Sequence, residues 1–331
     1  MLYLKGEYVM SNGVKLWIII AVLLSVIGMT LFAVSMSVSG WDITKLSTDN
    51  YETNTHDLTE EFFSISIKTD TSDVVFKPSD DGKSKVVCYE EKNQKHSVTV
   101  ADGVLTVSIV DTRKWYEYIG INFGSPRITV YLSEKEYSTL VIKGSTGDIL
   151  IPKELRTKSI DVSVSTGDVK CYAGAPESLK IKSTTGDITV SDVSAGSIEL
   201  SVTTGNVTLS GIICDRDISI GVSTGDTSLT DITCKSLISS GSTGDIVLKN
   251  VIATEKLSVE RSTGDVKLDA SDGSEIFVKT DTGDVTGSLL TDKIFITKTD
   301  TGKTDVPKSV TGGRCEITTD TGDIKITVGS R

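Results

Sequence analysis

From residue 140 to the end of the chain, hydrophobic positions come in pairs spaced two apart, on either side of a recurring Thr-Gly step. Counting back from each glycine, position −7 holds Leu140, Ile160, Leu179, Ile198, Ile218, Leu237, Leu257, Ile276, Phe295 and Cys315. Position −5 holds Ile142, Val162, Ile181, Leu200, Ile220, Ser239, Val259, Val278, Thr297 and Ile317. Counting forward, +2 is mostly Ile or Val and +4 mostly Leu or Val. Period two is a strand signal, because alternate side chains share a face. No segment beyond residue 139 carries a 3.6-residue apolar stripe.

The glycines in phase are Gly147, Gly167, Gly186, Gly205, Gly225, Gly244, Gly264, Gly283, Gly302 and Gly322, and they return every 19 or 20 residues. Such a period predicts one structural unit per repeat, stacked on its neighbours. Each unit reads as a short strand, a glycine corner, a second short strand and a looser return. Two short strands cannot bury an inner face alone. Stacked about 4.8 Å apart, their apolar positions join into continuous ladders. The predicted fold class is therefore all-β: a single-stranded β-solenoid, parallel β-helix-like, of about ten 19–20-residue coils. An N-terminal β cap module and one transmembrane helix are expected to precede it.

Leu16 to Val34 is an apolar run interrupted only by Ser25, Gly28 and Thr30, with no charge between Lys15 and Asp42. It is long enough to cross a bilayer. Residues 16–36 are expected to be a transmembrane anchor, 1–15 a short cytoplasmic segment, and 37–57 a polar stalk. Lys5 and Lys15 precede the run and Asp42, Asp49 and Glu52 follow it. That bias favours a cytoplasmic N-terminus and an extracytoplasmic repeat domain. A signal peptide cleaved near Ala33-Val34-Ser35 is the alternative, and Met10 is a second candidate start.

Residues 58–139 read as the cap module and 140–331 as the solenoid. Within the cap, Thr71-Ser72-Asp73-Val74 looks like a degenerate repeat with Ser in the glycine place. His96 to Ile109 reads as a hairpin around Asp102-Gly103. Trp115, Tyr116, Tyr118, Phe123, Tyr131 and Tyr137 crowd one short stretch. They either cover the first coil or form a partner patch, with Trp115, Tyr116, Tyr118 and Phe123 as the partner-binding candidates. At the far end, Ile324 and Ile326 follow the last glycine and no capping segment follows them. An open edge there is expected to pair with a partner or with a second copy.

The residue after each glycine is Asp148, Asp168, Asp187, Asn206, Asp226, Asp245, Asp265, Asp284, Lys303 and Asp323. In stacked coils these form an acidic column. Hydrogen bonding to the turn backbone is the plain reading. Calcium is the other, with Asp226, Asp245, Asp265 and Asp284 as candidate ligands; no other cofactor is indicated. Only two histidines exist, His56 and His96, both outside the repeats, so no nucleophile–histidine triad fits the solenoid. The five cysteines lack paired metal spacing, and Cys214 and Cys234 are expected to stack as small buried residues. A net charge of −11 with no basic stripe argues against nucleic acid.

The Ser-Thr-Gly-Asp-Ile/Val repeat, the single N-terminal span and the hairpin-plus-aromatic cap resemble the bacterial "putative adhesin" family of β-strand repeat proteins, nicknamed Toastrack. The resemblance covers residues 58–331. It implies a β-solenoid-like fold and an envelope location, and brings no catalytic residues with it. The expected function is a non-enzymatic, membrane-anchored, extracytoplasmic binding scaffold or adhesin contacting an envelope protein or polysaccharide. The alternatives are a regulatory partner in envelope-stress signalling and a polysaccharide-cleaving β-helix enzyme, whose paired carboxylates would have to come from the Asp column.

Overall fold

The computed structural model describes residues 11–42, 51–113 and 124–329. Asn12–Val38 is an α-helix, α1, opened by Ser11, whose side chain accepts a hydrogen bond from the Val14 backbone N–H. It is long and apolar enough to cross a membrane, and its most hydrophobic stretch is exposed.

The remaining described segments from Tyr51 onward form one all-β unit. Its first ten strands are β1 (Tyr51–Asp57), β2 (Ser64–Lys68), β3 (Asp73–Pro78), β4 (Lys85–Glu91), β5 (Gln94–Ala101), β6 (Val104–Asp111), β7 (Arg127–Leu132), β8 (Glu136–Thr146), β9 (Ile149–Ile151) and β10 (Arg156–Thr166). Successive coils then stack in parallel and in register, with Leu140 on Ile160, Ile160 on Leu179 and Leu179 on Ile198. The −7, −5, +2 and +4 side chains run together into one apolar core. Each fully buried aliphatic side chain there contributes roughly 1.5–3 kcal/mol.

The corner glycines explain why the step is invariant. Their φ angles lie between +125° and +156°, a region that L side chains rarely adopt. A Cβ on Gly225 would also stand 2.1 Å from the carbonyl oxygen of Gly205. A second corner, six residues on, went unread in the sequence: Asp192, Gly211, Asp231, Asn250 and Ala270 all have positive φ. The recurrence of Asp, Gly and Asn at this offset was the available signal.

Both ends of the solenoid depart from chain order. At the N-terminal end, β2 lies between β6 and β8, and β3 between β7 and β9. The 64–78 segment is thus a true coil, as the Thr71-Ser72-Asp73-Val74 pattern suggests. Antiparallel strands close this end: β5 on β6, β4 on β7 and β1 on β4. The β5–β6 hairpin turns at Asp102 and Gly103, both with positive φ, as expected. The stalk expected over 37–57 needs correction, because Tyr51–Asp57 is strand β1. Cross-strand pairing with β4 orders it despite its polar sequence.

At the C-terminal end the last segment does not sit outermost. Gly313–Thr321 pairs with Val266–Thr282 on one side and with Lys293–Thr301 on the other. Ile324–Val328 is likewise flanked by Val285–Leu289 and Thr304–Asp305. The chain therefore lays down the 293–305 coil, leaves a slot, and fills it with its final coil. The expectation that Ile324 and Ile326 form an open edge is corrected by this insertion. They are 0% and 2% exposed and belong to the core. The outermost coil is 293–305, and its partly exposed inward positions include Phe295, Thr297 and Thr299.

Candidate functional site

Four places gather polar chemistry: the Asp column, a groove on the return side of the early coils, and two buried clusters. In the column, each side chain accepts a hydrogen bond from the backbone N–H of its counterpart in the next coil. Asp148 Oδ1 takes Asp168 N at 2.9 Å, Asp226 takes Asp245 N at 2.8 Å, and Asp265 takes Asp284 N at 2.8 Å. Asn206 does the same for Asp226 N at 2.8 Å, so its amide oxygen keeps the ladder unbroken. The spatial order is Asp284, Asp323, Lys303: Asp284 accepts from Asp323 N and Asp323 from Lys303 N, each at 2.7 Å. Lys303 therefore ends the column rather than interrupting it, at the one corner with no further coil to hold. The calcium candidates Asp226, Asp245, Asp265 and Asp284 are exposed, and each commits Oδ1 to the backbone.

The groove begins in a cavity of about 320 Å³ between the end of β3, the β7–β8 turn and the β9–β10 turn. Its floor is apolar, with Phe76, Leu132, Tyr137 and Leu155 buried there. Its rim carries Lys77, Lys153 and Arg156, all exposed and none with an ion-pair partner among the described residues, beside the exposed carboxylates Glu134 and Glu154. Lys135 is already engaged: its Nζ donates to the Phe62 carbonyl at 2.7 Å and lies over the Phe62 and Tyr137 rings. A second concavity, also about 320 Å³, shares Lys153, Leu155 and Arg156. It continues past Glu136, Gly174, Pro176 and Ser194 to Asp215, so its charges are mixed. The return segments of successive coils thus form an elongated trough with a cationic end.

The first buried cluster lies in the cap. Cys88 and Glu90 alternate on β4 and share its inward face. His96 on β5 meets them. Glu90 Oε2 accepts the His96 backbone N–H at 2.6 Å and pairs with His96 Nδ1 at 2.7 Å. Glu90 Oε1 accepts from Asn54 Nδ2 at 2.7 Å, and His96 Nε2 lies 3.4 Å from the hydroxyls of both Thr69 and Ser72. The second cluster surrounds Arg261, 1% exposed in the solenoid core. Its guanidinium donates to Thr227 Oγ1 at 2.8 Å and Ser239 Oγ at 3.2 Å. Burial lowers its pKa and the charge of Asp226 raises it, with burial the larger effect.

Of the partner candidates, Trp115, Tyr116, Tyr118 and Phe123 lie outside the described residues. Tyr137 is buried and stacks on Phe62 at 5.6 Å, while Lys85 sits over the Tyr131 ring. All five cysteines are buried and free. Burial pushes the thiols of Cys88, Cys171, Cys234 and Cys315 up to about 12, which leaves Cys171, Cys234 and Cys315 as neutral packing groups rather than nucleophiles. Sequence reading missed the groove, which return loops far apart in the chain assemble. It also missed both buried clusters.

No curated protein matches the chain. Among solved structures it is similar to a "putative adhesin" from Bacteroides fragilis NCTC 9343, at 17% identity over 84% of this chain and 97% of that one, with a TM-score of 0.46. Similar proteins of the same description come from Parabacteroides distasonis ATCC 8503 (12% identity, 85% and 98% covered, TM-score 0.48) and Parabacteroides merdae ATCC 43184 (14%, 74% and 98%, 0.48). The family model described as Toastrack DUF4097 matches residues 62–216, the stretch from the first coil through the early repeats.

Proposed function

We propose that this protein is a non-enzymatic binding scaffold of the cell envelope, held in the membrane by α1 with its repeat domain outside. It would grip an extended anionic polymer in the trough beside the cap. The observation that carries this reading is the trough itself: an apolar floor of Phe76, Leu132, Tyr137 and Leu155 beneath Lys77, Lys153 and Arg156. Three cations with no ion-pair partner among the described residues outnumber the rim carboxylates Glu134 and Glu154 and, on a protein of net charge −11, concentrate positive potential where a chain of negative charges can lie. The length of the trough across several coils suits a linear polymer better than a compact metabolite. The Asp column favours scaffold over catalyst, since its oxygens hold backbone N–H groups in a regular row.

The test is binding of a polyuronate and of a matched neutral glucan to the full chain in detergent, at two salt concentrations. Expected is polyuronate binding that weakens with salt, at least tenfold weaker in Lys153→Glu/Arg156→Glu, with no binding of the glucan. Equal binding of both polymers, or an indifferent double variant, would overturn the reading. Membrane topology is checked separately by protease protection in intact cells.

A further inference from the structure

The cap cluster carries an inference independent of the trough. Cys88, Glu90 and His96 each offer one ligand atom, and the three atoms lie within 4.8 Å of one another. All three side chains are buried, at 0%, 1% and 5% exposure. We propose that Cys88 Sγ, Glu90 Oε2 and His96 Nδ1 bind a zinc-class divalent metal ion that pins the β4–β5 hairpin to the end of the solenoid.

Thiolate, imidazole and carboxylate together are a donor set suited to zinc. Tetrahedral ligation at about 2.0–2.3 Å needs donors a little over 3 Å apart. The existing spacing reaches that by side-chain rotation, with the ion taking the place of the proton now shared by His96 Nδ1 and Glu90 Oε2. The surrounding groups are arranged as a metal site requires. A ligating histidine is oriented by a hydrogen bond from its other ring nitrogen. His96 Nε2 faces the hydroxyls of Thr69 and Ser72, both able to accept from it. The Glu90 oxygen left over is held by Asn54 Nδ2. Thr69 and Ser72 belong to the first coil, Cys88 and Glu90 to β4, His96 to β5 and Asn54 to β1. The site thus ties four separate parts of the cap together. The fourth coordination position falls to water.

The competing account is that Glu90 and His96 are a hydrogen-bonded staple with no metal. Cobalt distinguishes the two, because a tetrahedral cobalt–thiolate site gives an intense near-ultraviolet charge-transfer band. The full chain in detergent, stripped with chelator and titrated with Co²⁺, is expected to show that band with one-to-one stoichiometry. Zinc should displace it and raise the melting temperature. Cys88→Ser should abolish the band, and His96→Gln should weaken binding at least tenfold. Cys171→Ser, a buried cysteine far from the cap, should change neither. Circular dichroism confirms that each variant is folded. No charge-transfer band in the wild type, or a band that survives Cys88→Ser, would overturn the proposal and leave the staple.

Discussion

The two ends of this solenoid solve one problem in opposite ways. A stack of parallel coils ends in a row of unpaired backbone groups and an uncovered core. The N-terminal end is covered by antiparallel strands β1, β4 and β5, with a buried polar cluster beneath them. At the C-terminal end no described segment covers the outermost coil. This end is finished by making the outermost coil less apolar, with Thr297 where most interior coils carry Ile, Leu or Val, and Lys303 where they carry Asp or Asn. The most apolar late coil, bearing Ile317, Ile324 and Ile326, is tucked inside it. One end adds material; the other reorders the chain so that its most polar coil faces outward.

The reordering depends on Gly312 and Gly313, where the chain slips back into its slot. A Cβ on Gly313 would lie 1.9 Å from the Ser274 carbonyl oxygen, and one on Gly312 would lie 1.8 Å from that of Asp292. Neither contact is with a flexible side chain that could move away. Gly313→Ala is therefore expected to cost about 4 kcal/mol and to expel the last coil rather than melt the whole stack. Hydrogen exchange should show it as lost protection at Ile324 and Ile326, with Ile160 and Ile181 unchanged. Protection kept at Ile324 would mean that the slot is wider than its backbone contacts imply.

The inserted coil is also clamped from both sides. Lys293 on the outermost coil pairs with Asp272, two coils inward, at 2.6 Å, and both side chains are largely buried. Asp272 additionally accepts from Gly273 N at 2.7 Å. Removing one partner of a buried pair strands the other charge. Lys293→Met should destabilise this end by about 3 kcal/mol, read as a lower unfolding midpoint of the C-terminal coils. The double variant Lys293→Met/Asp272→Leu should recover most of it. If the single variant costs nothing, the clamp is ornamental and the threonine-rich coil alone finishes this end.

Much of this was legible in the sequence because a solenoid repeats its requirements. The strand pairs, the corner glycines and the hairpin at Asp102-Gly103 were read from spacing, and the structure has them. What escaped was information that chain order conceals. Gly312-Gly313 was visible as a pair of small residues, but its purpose depends on a slot between coils that are not sequence neighbours. Lys303 falls between Asp284 and Asp323 in the chain but beyond both in the stack, so position in the chain does not give position in the column. Thr227 and Ser239 are polar residues on apolar ladders, and their common partner, Arg261, lies 34 and 22 residues away. Cys88, Glu90 and His96 converge only once β4 and β5 fold against the first coil.

The Asp column gives the finest comparison, between a corner inside the stack and the corner that ends it. Asp284 lies inside: its Oδ1 accepts Asp323 N at 2.7 Å, across the junction with the inserted coil. Asp284→Ala leaves that N–H to water at the surface, since the position is exposed, so the loss should be the net value of a charge-assisted hydrogen bond, about 1–2 kcal/mol. Lys303 ends the column, and its side chain has no backbone N–H to satisfy. Lys303→Asp should change stability by less than about 0.5 kcal/mol, the ordinary range for an exposed site. Any loss there should come from repulsion with Asp323 and fade as salt rises. Denaturant midpoints of the two variants, measured together at low and high salt, decide the matter. A Lys303→Asp penalty as large as that of Asp284→Ala, and insensitive to salt, would mean that the 303 corner is not the free end of the ladder.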